Sequence, residues 1–125
     1  MTKGEAIYQF FNNFMTAYSA SETPEDVSMP FLTYELSDGQ YGDGECSITV
    51  NLWFHTDSEA IPNAKVLELS RLIGRGGIVL PYDNGAVWIK RGTPFSQSLS
   101  GQDNEDTKDI KRRYINLSAE YLSED

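Results

Sequence analysis

Basic residues are almost missing from the first half of this sequence. Residues 4–64 contain no Lys or Arg but ten Asp and Glu residues, whereas residues 65–125 contain nine bases and nine acids. The formal net charge of -9 therefore arises entirely in the first 64 residues. One interpretation is that the acidity only keeps the protein soluble. The more specific one is a polar molecule whose acidic face meets the basic face of a neighbouring copy, because complementary charges set register and specificity.

Cysteine, histidine and long apolar runs are also scarce. The single cysteine, Cys46, excludes an internal disulfide and fits a reducing compartment. Cys46 and the only histidine, His55, are nine positions apart on one predicted strand, so they face opposite sides and do not form a nucleophile–base pair. One Cys and one His also exclude the usual zinc ligand sets. No apolar run approaches the roughly 20 residues of a membrane span, and the N-terminal residues do not resemble a signal peptide. These absences predict a soluble, non-enzymatic protein without a metal or cofactor.

The first element is predicted to be a helix over about residues 3–14. Thr2 and Glu5 have the spacing of a capping box, in which a hydroxyl and a carboxylate satisfy the first backbone N–H groups. The apolar stripe of this helix, at helical spacing, consists of Ile7, Phe10, Phe11 and Phe14. Residues 19–30 are polar, contain two prolines, and are predicted to form a loop.

Two strands are predicted next, over residues 31–37 and 46–54, joined by a turn-rich segment at 38–44. In the second strand apolar and polar residues alternate strictly. The residues expected to face the core are Cys46, Ile48, Val50, Leu52 and Phe54. We expect the two strands to pair as an antiparallel hairpin.

A second helix is predicted to start near Asp57 and Ser58, with Pro62 in its first turn and glycines at 74–77 after its end. Its expected apolar stripe consists of Val66, Leu67, Leu69, Leu72 and Ile73. The asparagine–glycine turn at 83–85 then predicts a hairpin of short strands.

The strands of this hairpin cover residues 78–82 and 86–91. A long loop is expected over residues 92–109, and a last strand over residues 110–121. The chain is thus predicted to be one α+β domain over residues 1–125. It has a mainly antiparallel sheet of about five strands, two helices packed on one face, and a mobile acidic loop at about residues 100–109.

The basic runs allow a nucleic-acid hypothesis, which the sequence does not favour. Lys111, Arg112 and Arg113 are consecutive on a predicted strand, so they point to alternate faces and do not form one surface. A net charge of -9 also opposes the approach of phosphate. The acidic first half keeps open the opposite possibility, an inhibitor that mimics DNA. A hard cation near Asp43 and Glu45 is disfavoured because the spacing of a calcium loop is absent.

Several segments resemble one family of proteins. They are MPFLTYE at residues 29–35, ITVNLWF at 48–54, SEAIPNAK at 58–65, VWIKRGTPF at 87–95 and KRRYINL at 111–117, together with the first helix and the Ala17-Tyr18 pair after it. Over nearly the whole chain they resemble the neck and tail-completion proteins of long-tailed bacteriophages, most of all the tail terminators. The shared motifs are structural rather than catalytic.

The resemblance implies an α+β domain that forms a hexameric ring on the tail tube. The ring would end tube polymerisation and offer the surface to which the head docks, and genomic DNA would pass through its channel without specific binding. The implied partners are other copies of the chain, the tail tube protein and a head-completion or connector protein. The implied location is the tail or neck of the virion, assembled in the host cytoplasm. Another neck protein is the neighbouring possibility.

The charge pattern and the resemblance together give two sets of candidate residues. The inter-subunit interface is predicted to pair the acidic half with the basic clusters of the next subunit, through Glu35, Asp43, Glu45, Lys90, Arg91, Lys111, Arg112 and Arg113. The loop predicted to become ordered on contact with tube or head contains Asp103, Glu105, Asp106 and Asp109.

Overall fold

The first helix, α1, spans Lys3–Phe14 in a computed structural model that describes residues 1–38, 45–99 and 109–122. The predicted capping box is present. The Thr2 hydroxyl accepts a hydrogen bond from the Glu5 N–H, and the Glu5 carboxylate accepts one from the Thr2 N–H, each at 3.2 Å. The buried face of α1 consists of Ala6, Ile7, Phe10, Phe11 and Phe14. The apolar stripe and the capping box together therefore predicted α1 correctly.

Within residues 1–38, 45–99 and 109–122 the sheet has six strands and is mixed. Its strands are β1 (Ala17–Ser19), β2 (Phe31–Asp38), β3 (Glu45–His55), β4 (Ile78–Tyr82), β5 (Gly85–Leu99) and β6 (Ile110–Tyr121). Their spatial order is β1-β2-β3-β6-β5-β4, and β1 pairs with β2 in parallel while the other pairs are antiparallel. The expected five strands omitted β1, which has only three residues and is followed by a 3-10 turn at Ala20–Glu22. A strand that short shows too little alternation to be recognised from the sequence.

The inner face of the sheet carries the core. The predicted inward set of β3, from Cys46 to Phe54, is buried, and it continues onto Ile115, Leu117 and Ala119 of β6. Both helices add buried side chains to the same cluster. At roughly 1.5–3 kcal/mol for each large apolar side chain removed from water, this shared core is the main stabilising term of the fold.

The second helix, α2, spans Ala60–Ile73 and ends at Gly74, whose φ of 77° is a conformation that favours glycine. Its buried or half-buried apolar residues are Pro62, Val66, Leu69 and Ile73. The prediction was wrong for Leu67 and Leu72, which are 49% and 46% exposed. A stripe spaced four, three and four residues apart already fills the side facing the sheet, so these two leucines lie outside it.

Strand β5 continues far beyond Arg91, where a loop was expected. Residues 92–99 belong to β5, and the pairing with β6 shifts register between Arg91 and Ser96. Within this irregularity the Asn116 side chain donates a hydrogen bond to the Pro94 carbonyl at 3.0 Å. Gly92 and Pro94 are signals for a loop, but here they mark a bulge inside a strand.

The two outermost strands, β1 and β4, are partly blocked against pairing with a further strand. At β1, the Ala17 N–H donates to the Asn12 side chain at 3.2 Å, and the Ser19 carbonyl accepts from the Thr23 hydroxyl at 3.1 Å. At β4, Pro81 has no N–H to offer, and the Asp83 N–H donates to the Met1 carbonyl at 2.7 Å. Proline and local hydrogen bonds of this kind protect natural sheets from edge-to-edge pairing.

Candidate interaction surfaces

The basic run of β6 is divided between the two faces of the sheet, as strand alternation predicts. Lys111 and Arg113 pair in register with Phe54 and Leu52, whose side chains are in the core, and Arg113 is only 4% exposed. Arg112 pairs with Trp53 on the opposite, outer face. The run therefore does not form one continuous basic surface.

Arg113 connects the start of α2 to the sheet. Its guanidinium donates to the carboxylate of Glu59 and, at 3.2 Å, to the side-chain oxygen of Asn63. Lys111 adds a second cation 3.9 Å from the same carboxylate. Glu59 is the residue before α2 and Asn63 lies in its first turn. This cluster fixes the helix against β6, which is a structural role within one chain.

A row of stacked side chains crosses the outer face from β1 to β6. The Tyr18 and Phe31 rings pack edge to face, with centroids 6.1 Å apart, and Phe31 stacks on Trp53, also at 6.1 Å. The Arg112 guanidinium lies over Trp53 at 4.9 Å and donates to the Asn51 side chain at 2.8 Å. Arg112 is thus held in place as part of the sheet surface by cation–π and hydrogen-bond contacts.

The two predicted bases on β5 differ in how they are held. Lys90 lies 3.8 Å from the Glu120 carboxylate and over the Trp88 ring at 4.3 Å. Arg91 is exposed and donates to the Ser70 hydroxyl of α2 at 2.8 Å. Of this pair, only Arg91 has no carboxylate within ion-pair distance among the described residues.

The predicted acidic residues are only partly described. Glu35 is exposed on β2, while Asp43 and the side chain of Glu45 lie outside the described residues. Asp103, Glu105 and Asp106 also lie outside them. Asp109 directly precedes β6, and its carbonyl accepts a hydrogen bond from the Thr56 N–H at 2.6 Å. The interface and the partner-ordered loop remain predictions.

A shallow groove lies where the 3-10 turn passes β2. Its volume is about 330 Å³, and it is lined by Ser19, Ala20, Ser21, Tyr34, Glu35 and Leu36. Burial raises the pKa of the Tyr34 hydroxyl above its ordinary value. Sequence reasoning missed this groove because it depends on the unpredicted strand β1 and the turn after it.

Three acids of the following loop, Glu22, Glu25 and Asp26, are exposed and make no ion pair in the described structure. Two arginines at the end of α2, Arg71 and Arg75, are likewise exposed and have no described partner. Neither set was singled out from the sequence. The sequence does not show that these acids and arginines lack a partner of opposite charge, because this depends on the order of the strands in the sheet.

The titratable residues considered for chemistry remain apart. Cys46 is buried, with its sulfur 3.5 Å from the Tyr121 hydroxyl, and His55 is exposed at the end of β3. Among residues 1–38, 45–99 and 109–122 there is no group of three His, Cys, Asp or Glu side chains able to hold a metal ion. In the same residues neither helix is long and apolar enough to cross a bilayer.

Comparisons with the known protein families and with curated proteins found no match to this chain.

Proposed function

We propose that this protein is a tail terminator of a long-tailed bacteriophage. In this proposal it is a virion protein that forms a ring on the end of the tail tube, stops polymerisation of the tube and offers the surface to which the head docks. Assembly would take place in the host cytoplasm, and the genomic DNA would pass through the ring without specific binding.

The observation that carries the proposal is the position of the segments that resemble the family. Most of them lie on β2, β3, β6 and β5, which are four consecutive neighbours in the sheet, and on the start of α2, while the first helix and Ala17-Tyr18 lie on α1 and β1. The segments from residue 29 to residue 117, scattered over 89 positions of sequence, thus form one continuous unit.

Residues of these segments also contact one another. Arg113 of the last segment bonds to Glu59 and Asn63 of the helix segment, and Asn116 bonds to the Pro94 carbonyl. Such contacts set the relative positions of strand and helix. They support a protein whose shared residues maintain a shape for assembly, as the resemblance implies.

The test is the length of tails made without this protein. In a phage whose copy of the gene is disrupted, electron microscopy of lysates should show tail tubes that are abnormally long and carry no heads. Supplying the intact chain from a plasmid should restore the normal length. In a purified system, adding the chain to polymerising tube protein should shorten the tubes in proportion to its concentration.

A different defect would identify a different neck position. Tails of normal length that fail to join filled heads would contradict the terminator proposal and favour a head-completion or connector protein. Normal, infectious particles in the absence of the chain would contradict both.

A further inference from the structure

Two groups of charges without a described ionic partner lie toward opposite ends of the sheet. On the side of β4 and β5, Arg71 and Arg75 come from the last turn of α2 and the turn that follows, and Arg91 of β5 bonds to Ser70 of that same last turn. All three arginines are exposed. We call them the arginine patch. Within the described residues none of the three has a carboxylate within ion-pair distance.

The opposite edge is acidic. Glu22, Glu25 and Asp26 lie on the 3-10 turn and loop between β1 and β2, and Glu35 lines the groove at the same edge. We call these four residues the acidic patch. No Lys or Arg occurs anywhere in residues 4–64, so this edge carries no compensating base from its own segment.

The two patches are too far apart to neutralise each other within one molecule. The strands β1 and β4 are five spacings of about 4.8 Å apart, roughly 24 Å, and Arg91 on β5 and Glu35 on β2 are three spacings apart, roughly 14 Å. The screening length at physiological salt is about 8 Å. Each patch is therefore available to a partner of the opposite charge.

The surfaces beside the charges are suited to a side-chain contact. Leu72 and Val79, next to the arginine patch, are 46% and 52% exposed. On the acidic side Leu36, which is 38% exposed, lines the groove together with Glu35 and two serines. Since β1 and β4 are partly blocked against a further strand, a contact made by side chains is favoured over extension of the sheet.

We infer that the arginine patch of one copy of this chain docks onto the acidic patch and groove of a second copy. The occupant is a second copy because the complementary surfaces lie on the same chain and at opposite ends of it. Such a contact is heterologous, so it repeats head to tail and gives a closed ring or a filament. The contact itself does not depend on the proposed function. Only its closure into a ring, rather than growth into a filament, rests on that proposal.

This contact differs from the interface predicted from sequence. It retains Arg91 and Glu35, but replaces Lys111 and Arg113 with Arg71 and Arg75. The replaced residues already share the Glu59 carboxylate within their own chain. Arginine also suits the contact, since its planar fork binds carboxylates in pairs of hydrogen bonds.

The test is assembly of two charge-reversed variants, alone and mixed. The base-reversed chain carries Arg71→Glu, Arg75→Glu and Arg91→Glu, and the acid-reversed chain carries Glu22→Lys, Glu25→Lys and Asp26→Lys. Sedimentation velocity at low ionic strength should show concentration-dependent association of the unmodified chain. Each variant alone should associate at least about tenfold more weakly, because every junction then opposes like charges.

Mixing the two variants in equal amounts should restore assembly. In an alternating arrangement each junction then joins opposite charges again, either the native pair or the reversed pair. Both variants keep a negative net charge, so general attraction between an acidic and a basic protein cannot cause the recovery. A chain with all six changes, whose net charge equals that of the unmodified chain, should also assemble by itself.

The matched control is Asp57→Lys. It makes the same charge change as Glu25→Lys at an exposed carboxylate outside both patches, and should leave association unchanged. Thermal unfolding checks that every variant is folded.

The inference fails if the unmodified chain stays monomeric at low salt, or if the reversed chains associate as strongly as the unmodified one. It also fails if mixing them restores nothing. The tail-length experiment decides the terminator proposal separately, because a chain can end tubes through a different contact between copies.

Discussion

Arg113 is the residue whose role the structure changes most. Removing Glu59 and removing Arg113 should lower the free energy of unfolding by different amounts. Glu59→Ala leaves a cation buried with only Asn63 and a backbone carbonyl near it, and should lower the free energy of unfolding by about 1–3 kcal/mol. Arg113→Met removes the charge and keeps an unbranched apolar side chain of similar length, so its cost should be smaller. Urea denaturation of both variants checks this order.

Partial exposure of Glu59 limits the expected effect, since water screens part of the pair. Should Arg113→Met destabilise the protein as much as Glu59→Ala, the ion pair itself would contribute more than its desolvation costs, and our account of the cluster would be wrong.

Two neighbouring glycines give a second prediction at this scale. Gly77 has a φ of 84°, and an added Cβ would lie 2.5 Å from the Ile89 carbonyl oxygen. Gly77→Ala should therefore destabilise the fold by about 2 kcal/mol or more, through both strain and displacement of β5. At Gly76 nothing lies within 4 Å of such an atom, so Gly76→Ala is the matched control with a change below about 0.5 kcal/mol. Equal melting temperatures for the two variants would contradict this.

Strand alternation predicted the direction of Arg113 but not its environment. Period-two spacing put it on the same side as Ile115 and Leu117, which is correct. Its partner Glu59 lies 54 positions earlier, and nothing local in either segment indicates that they meet. Pairing of this kind depends on the sheet order, which single-sequence patterns do not contain.

At the scale of elements, the start of α1 should respond to acid. The hydrogen bond from the Thr2 backbone N–H, followed by the one with the Thr2 side chain, lowers the pKa of Glu5 below its model-compound value of 4.5. A lowered pKa means that the stabilisation is complete above the unfolded value and is lost as pH falls through the folded one.

The variant Glu5→Gln keeps the shape of the capping residue but does not titrate. Any stability advantage of the unmodified chain over this variant should therefore shrink as the pH is lowered from 6 to 3, measured by thermal unfolding at each pH. A difference that stays constant over this range would show that the Glu5 charge does not interact with the helix start.

Strong local signals decided which elements could be predicted. Helix α1 has a cap and a phenylalanine stripe, and β3 alternates over its whole length, so both were predicted closely. Strand β1 is held by α1 and β2 rather than by its own pattern. The far half of β5 is paired with β6 in spite of its glycine and proline. Strand β1 and the far half of β5 therefore depend on pairing with other strands, and local sequence patterns alone did not predict them.

At the scale of the whole molecule, charge separation follows from both sequence and topology. The composition predicted an acidic first half, but not that four of its carboxylates without a described ion pair would lie on β2 and on the segment between β1 and β2. Nor did it reveal that the predicted basic residues would be divided, with Lys111 and Arg113 inward and Arg112 on Trp53. The charged surface available to a partner is therefore smaller than the numbers of acidic and basic residues indicate, and its two signs lie on different parts of the molecule.

This arrangement also predicts how the protein behaves toward DNA. With the basic run of β6 divided between two faces and a net charge of -9, binding to a short duplex at physiological salt should be weaker than the roughly 10⁻⁴ M limit of ordinary non-specific binding. Fluorescence anisotropy of a labelled duplex measures this directly. Micromolar binding that weakens steeply with salt would show that the arginine patch acts on phosphate rather than on carboxylates. If the chain instead releases DNA from a nuclease or polymerase while remaining a monomer, the acidic edge functions as a DNA mimic, because an assembling terminator has no reason to compete at that site.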